Sequence, residues 1–295
     1  MKRPALRPFL LWLAIPVCMT GCGSGGSSNA KLGSILFTKQ GLTAGSGILY
    51  AMDQDGSGLR AIDSNQFLDY MPAWSPDGTR IAFLSGRDSH HTWENDLYTM
   101  NPDGTNVVRL TQSATVEGRP TWSPDGTKIA YADGNGVWTI KTDGSSRVKL
   151  LDSRAEAIDL AWSPDGTQIA YTNLHTGHAQ LFIMSADGSN SRQITTGTSY
   201  SGTPSWSPDG ARIAFFADGI WLINPDGTNL KQLTQASSGG VITKVDMWPR
   251  WSADGSEIVF ARGYQIYKMK ADGTNIVPLT NNQDGTESAP DWRLH

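Results

Sequence analysis

The 295-residue sequence is poor in cysteine: it has two, Cys18 and Cys22, both near the N-terminus. No disulfide can therefore brace the rest of the chain, and no cysteine there can serve a metal or a redox pair. Stability after residue 22 must come from packing and hydrogen bonding.

The sequence also lacks the short motifs of common enzymes. It has no Gly-x-Ser-x-Gly of a serine hydrolase, no Gly-x-Gly-x-x-Gly opening a helix and no phosphate-binding loop. These absences predict no catalytic residues, no cofactor and a protein that is not an enzyme. A channel enzyme with scattered His, Asp, Tyr or Arg residues stays open as the alternative.

Clustered positive charge is missing as well. The chain has 24 Lys and Arg against 28 Asp and Glu, a net charge of −4, with no basic stripe. Proteins that bind nucleic acid need clustered cations to neutralise phosphates. The sequence therefore predicts no nucleic-acid partner.

The first residues are typical of a bacterial lipoprotein leader. Basic residues precede an apolar stretch, residues 9–17, that is too short to span a bilayer comfortably. Met-Thr-Gly-Cys at residues 19–22 resembles a lipobox, with methionine in place of the usual leucine. We expect residues 1–21 to be removed, Cys22 to be lipidated, and residues 22–31 to form a Gly/Ser-rich tether. An ordinary secretory signal with an incidental Cys22 is the alternative.

One phrase recurs through the rest of the chain. Pro-Ala-Trp-Ser-Pro-Asp-Gly-Thr-Arg-Ile-Ala-Phe at residues 72–83 returns at residues 120–131, 160–171, 204–215 and 249–260, and residues 289–292 are a truncated copy. The tryptophans are spaced by about 40–48 residues, namely Trp74, Trp122, Trp162, Trp206, Trp251 and Trp292. A period of this length, built from short strands and turns, is typical of propellers.

Each repeat reads as four strands, A to D. In the second repeat these are residues 71–75, 79–85, 96–101 and 106–111, with Pro-Asp-Gly in the A–B turn and Asp-Gly in the C–D hairpin. Six Asp-Gly hairpins and six tryptophans predict an all-β, six-bladed propeller of four-stranded antiparallel blades over residues 32–295.

The two ends of the repeat region complement each other. The first repeat has strands B (34–39), C (47–53) and D (59–63) but no strand A, whereas residues 288–293 supply a strand A and nothing after it. We expect N- and C-terminal strands to pair in one blade, since a closed ring leaves no exposed sheet edge. An open array with a frayed last repeat is the alternative.

The repeat resembles the TolB-type β-propeller family. The resemblance covers residues 32–295 and rests on Pro-x-Trp-Ser-Pro-Asp-Gly-x-x-Ile-Ala-Phe followed by Leu-Tyr-x-Met-Asn-x-Asp-Gly-x-Asn and Arg-Leu-Thr. It implies a non-enzymatic envelope protein that binds a protein or peptide, as TolB binds the peptidoglycan-associated lipoprotein. TolB carries an α/β domain before its propeller, whereas about thirty residues precede the repeats here. Similar repeats occur in prolyl peptidases, which carry a hydrolase domain that this chain lacks.

Blade geometry predicts which end of the propeller binds a partner. The A–B and C–D turns share one end, the hairpin end, and are nearly uniform, whereas the B–C and D–A loops at the other, the loop end, vary in length. Binding residues tend to lie on variable loops. The six residues found five positions before each tryptophan are expected at the mouth of the central channel, and we call them the mouth residues. Four of them are carboxylates: Asp69, Glu117, Asp246 and Glu287. Together with Trp93 and Tyr200, they are our predicted partner-binding residues.

Three questions stay open at this stage. The carboxylates could attract a basic peptide, or they could simply accept loop hydrogen bonds or pair with Arg119 and Arg250. His90, His91, His175 and His178 could serve a metal, but solvent-exposed loop residues are favoured, so no metal is predicted. The alternative function is a channel-site enzyme, such as a metal-dependent lyase or hydrolase, or a carbohydrate-binding protein of the envelope.

Overall fold

A computed structural model describes most of the chain after residue 33. The described residues are 34–41, 47–63, 67–88, 95–112, 116–152, 157–175, 177–197, 199–235, 245–281 and 285–293. The predictions for Cys22, the signal peptide, the tether, His90, His91 and Trp93 concern residues outside these ranges.

The described residues form β-strands joined by turns and loops. In chain order the strands are β1 Ile35–Gln40, β2 Gly47–Met52, β3 Arg60–Ala61, β4 Asp69–Trp74, β5 Ile81–Ser85, β6 Asp96–Met100, β7 Val108–Arg109, β8 Val116–Trp122, β9 Lys128–Asp133, β10 Gly136–Lys141, β11 Val148–Asp152, β12 Ala157–Trp162, β13 Gln168–Asn173, β14 Gln180–Ser185, β15 Arg192–Gln193, β16 Gly202–Trp206, β17 Ile213–Phe216, β18 Ile220–Ile223, β19 Lys231–Gln232, β20 Asp246–Trp251, β21 Glu257–Arg262, β22 Gln265–Lys270, β23 Val277–Pro278 and β24 Thr286–Trp292.

These strands form six four-stranded antiparallel sheets, which confirms the predicted propeller. Blade 1 has the order β24-β1-β2-β3, and blades 2 to 6 follow the chain from β4 to β23, four strands each. The inner strands β4, β8, β12, β16, β20 and β24 each contact the next one around the ring, and β24 returns to β4. The ring is therefore closed.

Blade 1 is shared between the two ends of the chain, as predicted. Strand β24 pairs antiparallel with β1, placing Trp292 opposite Ile35 and Glu287 opposite Lys39. Its inner strand begins at Thr286, slightly earlier than the sequence indicated. The open-array alternative is wrong, because the sheet edge of β1 is paired.

The Ser-Pro-Asp-Gly turn between strands A and B folds by its own hydrogen bonds. In blade 2 the Ser75 hydroxyl donates to Asp77 Oδ1 at 2.6 Å, and the Thr79 amide donates to the same carboxylate oxygen at 3.0 Å. The Arg80 amide donates back to Ser75 Oγ at 2.9 Å. Aspartate that binds the amide two residues on is a standard turn device, so the motif encodes the turn locally.

The hydrophobic core lies between adjacent blades. One cluster joins Leu36 and Leu49 of blade 1 to Trp74 and Phe83 of blade 2, and the other blade interfaces are similar. In blades 3, 5 and 6 the repeat tryptophan also donates its indole N–H to the preceding blade, as from Trp122 to the Ala73 carbonyl at 3.1 Å, whereas the indole N–H groups of Trp74 and Trp162 are buried without a hydrogen-bond partner among the described residues. Burying a large apolar side chain contributes about 1.5–3 kcal/mol to folding stability, so each repeat tryptophan stabilises the packing of two adjacent blades.

The outer strands are shorter than the sequence indicated. Strands β3, β7, β15, β19 and β23 have two residues each, and the predicted strand at residues 106–111 shrinks to Val108–Arg109. An outermost strand has a partner on one side only, and short edge strands limit unwanted pairing.

Among the described residues, no helix is long and apolar enough to cross a membrane.

Candidate functional site

The inner strands enter the ring from the loop end, and each of them bulges there. In five blades the residue three positions before the tryptophan has a positive φ, for example 52° at Met71 and 53° at Thr203. The bulge turns the amide of this residue toward the preceding blade: Met71 N donates to Thr38 Oγ1 at 3.1 Å, and Thr203 N to Thr172 Oγ1 at 3.2 Å. A bulge changes the direction in which the following side chains point, so the bulge of each inner strand determines which side chains face the channel.

Blade 3 departs from this pattern by one residue. Its bulge lies between Glu117 and Thr121, and Val116 pairs with Asp133 where Asp69 pairs with Ser85 in blade 2. The extra residue is accommodated at Gly118, whose φ is 72° and whose Cβ, if present, would meet the Asp159 amide at 2.7 Å. Glu117 therefore does not share the register of the other mouth residues, and the prediction that it is equivalent to them is wrong.

The wider bulge places Arg119 against the inner strand of blade 1. Its Nη1 donates to the Pro290 carbonyl at 2.8 Å and lies 3.4 Å from Asp291 Oδ1, and its Nη2 donates to the Ala289 carbonyl. Blades 1 and 3 are separated by blade 2, so this side chain bridges non-adjacent inner strands. Its guanidinium is almost fully buried.

Three more charged residues surround Arg119, and we call the four the channel cluster: Arg119, Asp159, Arg250 and Asp291. Arg250 Nε lies 3.5 Å from Asp291 Oδ1, and Arg250 Nη1 donates to the Pro249 carbonyl at 2.9 Å. Asp291 Oδ2 accepts the Trp74 amide at 2.8 Å. Two cations and two anions balance one another at the centre of the ring.

Burial dominates the electrostatics of the channel cluster. It raises the pKa of Asp159 and Asp291 and lowers the pKa of Arg119 and Arg250, while the opposite charges within the cluster counteract each shift. A buried ion pair is stable only if its members compensate one another. Removing one member therefore leaves an uncompensated charge.

Three of the predicted mouth carboxylates, Asp69, Asp246 and Glu287, are buried, and two of these form ion pairs with arginines of their own blades. Asp69 lies 2.6 Å from Arg87 Nη2, and Asp246 is bound through both oxygens by Arg262 at 2.5 and 2.7 Å. Glu287 accepts the Thr280 hydroxyl, and burial raises the pKa of its carboxyl group.

The expected partners Arg119 and Arg250 belong instead to the channel cluster. Ala157 and Ser201, the uncharged members of the set, are also buried. A role of these carboxylates in partner binding stays a prediction, but Asp69, Asp246 and Glu287 each already form a structural contact.

The loop end also exposes large apolar side chains. Tyr200 is 39% exposed and packs at 5.7 Å against the ring of Phe216. Phe67 is 44% exposed beneath the Arg87 guanidinium, and Tyr264 is 55% exposed in the B–C turn of blade 6. Aromatic residues are enriched at binding interfaces, and here they lie on a rigid ring.

The described histidines have no metal-like arrangement. His175 donates its amide to Asn173 Oδ1 at 2.8 Å, an ordinary turn contact. Within the described ranges no three His, Cys, Asp or Glu side chains are grouped closely enough to hold an ion.

Sequence reasoning missed the channel cluster, although a signal was present. The position directly before the tryptophan is small in blades 2 to 5, namely Ala73, Thr121, Ala161 and Ser205, but it is Arg250 and Asp291 in the last two copies. Opposite charges at matching positions of adjacent inner strands predict an ion pair. The sequence alone could not assign Arg119 to this cluster, because its position depends on the wider bulge of blade 3.

Comparisons with known proteins agree with this architecture. A profile of the TolB beta propeller domain matches residues 139–294. TolB from Acinetobacter baumannii has a TM-score of 0.70 at 21% identity, covering 88% of this chain and 66% of that chain, so this chain spans just under two thirds of that TolB.

More distant structures share the fold. A chain of the nidogen/laminin complex has a TM-score of 0.69 at 12% identity, covering 87% of this chain and 97% of that one. An oligogalacturonate lyase in complex with manganese has a TM-score of 0.54 at 17% identity, covering 86% and 74%. Curated protein sequences gave no match. Because the profile covers more than half of its residues, this chain belongs to the TolB beta propeller domain family.

Proposed function

We propose that this protein is a non-enzymatic, membrane-tethered propeller of the cell envelope that binds a protein or peptide with its loop end. The observation that carries the proposal is the exposure of Phe67, Tyr200 and Tyr264 at this end. Solvent-exposed aromatic side chains on a rigid scaffold supply contact area at a low entropic cost.

The inner strands support binding at the mouth rather than along the whole channel. Arg119 reaches from blade 3 to Ala289 and Pro290 of blade 1, so the channel cluster occupies the centre of the ring. A partner segment entering from the loop end would meet this cluster. The aromatic side chains and the rims of the blades would then form its contact surface.

Related structures support a binding role without specifying the partner. The family is named for TolB, and one propeller of similar shape comes from the nidogen/laminin complex. Both suggest that such a ring can act as a docking platform. The partner of this chain is proposed from its own surface.

Lipidation of Cys22 would hold the propeller at a membrane facing the periplasm or the cell exterior. Cys22→Ser should move the protein from the membrane fraction to the soluble fraction, because the acyl chains would be its anchor. Metabolic labelling with a fatty acid should mark the wild-type protein and not the variant. An unlabelled wild-type protein would overturn the anchor.

Site-specific photocrosslinking tests the binding face. A photoreactive amino acid at position 200 or 264 should capture a partner in native envelopes, whereas the same probe at Leu230 or Thr228, on the outer edge and at the hairpin end, should not. The captured protein is then purified and its affinity measured directly.

Matched substitutions complete the test. Changing Phe67, Tyr200 and Tyr264 together to serine should weaken this affinity at least tenfold, since aromatic anchors dominate interfaces. Leu59→Ser, Val148→Ser and Leu230→Ser remove equally exposed side chains from outer positions and should change it less than twofold. Equal losses in both triple variants would refute the loop-end assignment. Turnover of an envelope polysaccharide by the purified protein would refute the non-enzymatic assignment.

A further inference from the structure

A cleft of about 650 Å³ opens at the hairpin end between blades 2 and 3. Its lining includes Trp122 and Val108, three carboxylates (Asp77, Asp125 and Asp143) and Arg80. It lies at the end of the ring opposite the proposed partner face. Nothing in the proposed function uses it.

In the corresponding region between blades 5 and 6, an arginine of the protein itself covers the repeat tryptophan. Arg212 follows the tryptophan of blade 5 by six positions, and its guanidinium lies over the Trp251 ring of blade 6, 4.9 Å from the ring centre. Arg293 of blade 1 similarly covers Trp74 of blade 2, at 5.6 Å. The repeat tryptophan is thus a platform for a guanidinium group, held by attraction between the cation and the aromatic face.

Arg80 has the same repeat position as Arg212 but a different conformation. Its Nη2 donates to Thr99 Oγ1 at 2.6 Å within its own blade, and its Nη1 lies 3.4 Å from Asn101 Oδ1.

The cause is one strand-C residue. Thr99 stands opposite Ala82 in blade 2, whereas Leu222 stands opposite Ala214 in blade 5 and offers no hydroxyl group. The Thr99 hydroxyl holds Arg80 within its own blade, whereas the guanidinium group of Arg212 lies over the tryptophan of the next blade.

The charge of the cleft favours a cation. The Asp125 carboxylate accepts the Ser123 hydroxyl at 2.6 Å, and Asp143 accepts the Ser145 amide at 2.9 Å, so both are oriented by their turns. These hydrogen bonds lower the pKa of both groups, with the serine side chain as the largest cause in each. Among the residues that line the cleft, these two carboxylates and Asp77 outnumber the single cation, Arg80, while Lys128 and Lys141 lie outside the lining and act on Asp125 and Asp143, respectively.

We propose that this cleft binds the guanidinium group of an arginine side chain from a partner peptide, stacked on Trp122 between the carboxylates. The external arginine would take the place that Arg212 takes over Trp251. The site is independent of the loop-end face, and the protein would have two recognition surfaces at opposite ends of the ring.

The test uses N-acetyl-arginine amide as the probe and N-acetyl-norleucine amide as its uncharged counterpart. The indole N–H signal of Trp122 in a ¹H–¹⁵N spectrum, assigned with Trp122→Phe, should shift on titration with the first compound and not with the second. Shifts confined to other tryptophans, or equal effects of both compounds, would overturn the proposal.

Paired variants separate binding from turn stability. Asp125→Asn with Asp143→Asn should weaken the probe about tenfold, roughly threefold for each charge removed. Asp254→Asn with Asp272→Asn makes the same changes where Arg212 already covers Trp251, and it should leave the affinity within twofold. Equal losses in the two double variants would contradict the site.

Thr99→Leu provides a test that does not alter the carboxylates. Without the hydroxyl group Arg80 should turn onto Trp122, as Arg212 lies on Trp251, and binding of the probe should fall at least tenfold. The Trp122 signal of the unliganded variant should itself move toward the position of the probe-bound wild type. Retained binding by a folded Thr99→Leu variant would show that Arg80 does not control the cleft and would overturn the mechanism.

Discussion

The two ends of the propeller satisfy their polar groups in different ways. At the hairpin end a carboxylate bonds to groups two residues away, as Asp77 does with Ser75 and Thr79. At the loop end and in the channel the partners are remote: Asp246 pairs with Arg262, and Arg119 binds a carbonyl 171 positions along the chain. The hairpin end is encoded locally, whereas the loop-end ion pairs need the sheet register of a blade and the contacts of Arg119 need the closed ring.

This difference has an energetic consequence. When one residue of a locally hydrogen-bonded turn is substituted, the protein loses little more than one hydrogen bond. Such a bond contributes about 0.5–1.5 kcal/mol to stability. A buried charge that loses a remote partner suffers its full desolvation penalty. Matched substitutions at the two ends should therefore differ in cost.

Removing residues 289–295 should have the largest effect. It deletes most of β24, leaves the edge of β1 unpaired, and takes away Trp292 and the Asp291 partner of two arginines. We expect a loss of several kcal/mol in unfolding free energy, comparable with severe core truncation. Denaturant unfolding monitored by tryptophan fluorescence measures it. An unchanged midpoint would mean that β24 does not close the ring.

Asp291→Ala should cost about 3 kcal/mol, because Arg119 and Arg250 then remain buried without their carboxylate. Asp209→Ala at the hairpin end is the matched control: it breaks the hydrogen bond to the Ser207 hydroxyl and should cost about 1 kcal/mol. Chemical denaturation of both variants gives the comparison. Equal losses of unfolding free energy in the two variants would contradict the distinction between carboxylates with local partners and carboxylates with remote partners.

The same distinction explains what the sequence could predict. Ser75, Asp77 and Gly78 form a turn that needs no other part of the chain, so the strand boundaries around it follow from the motif. Closure of blade 1 was predictable because the two ends lack complementary strands.

The loop-end contacts were not predictable in this way. Counting five residues back from each tryptophan fails at Glu117, since the bulge at Gly118 adds a residue. Arg87 and Arg262 could not be assigned to Asp69 and Asp246 without the sheet register that brings them together.

Asp246→Asn should have an intermediate effect, a loss of about 2 kcal/mol, because the amide keeps the shape but leaves the half-buried Arg262 without a counter-charge. Asp254→Asn at the hairpin end keeps an acceptor for the Ser252 hydroxyl and the Ser256 amide, and it should cost less than 1 kcal/mol. Thermal midpoints at neutral pH compare the two. A larger loss for Asp254→Asn would reverse the order that the ion pair predicts.

The pH dependence of stability provides the last comparison, because the two ends contribute to it with opposite signs. At the hairpin end, hydrogen bonds from Ser252 and Ser256 lower the pKa of Asp254 to about 2. Its contribution to stability is present above the unfolded pKa of 3.8 and is lost as pH falls through the folded value. At the loop end, burial and the neighbouring Asp69 raise the pKa of Asp63 from 3.8 to about 8.

Between these two values the folded protein retains a proton that the unfolded chain releases, so Asp63 makes stability decrease as pH rises from about 4 to 8. Asp63→Asn should flatten this decrease and raise the thermal midpoint at pH 8 by several °C, while the midpoint at pH 3 stays the same. Asp254→Asn should instead reduce the loss on acidification and leave the alkaline side unchanged. Calorimetry of the wild type, Asp63→Asn and Asp254→Asn from pH 3 to 9 measures the thermal midpoint on the acidic and the alkaline side. If the profile of Asp63→Asn ran parallel to that of the wild type, the Asp63–Asp69 pair would hold no proton.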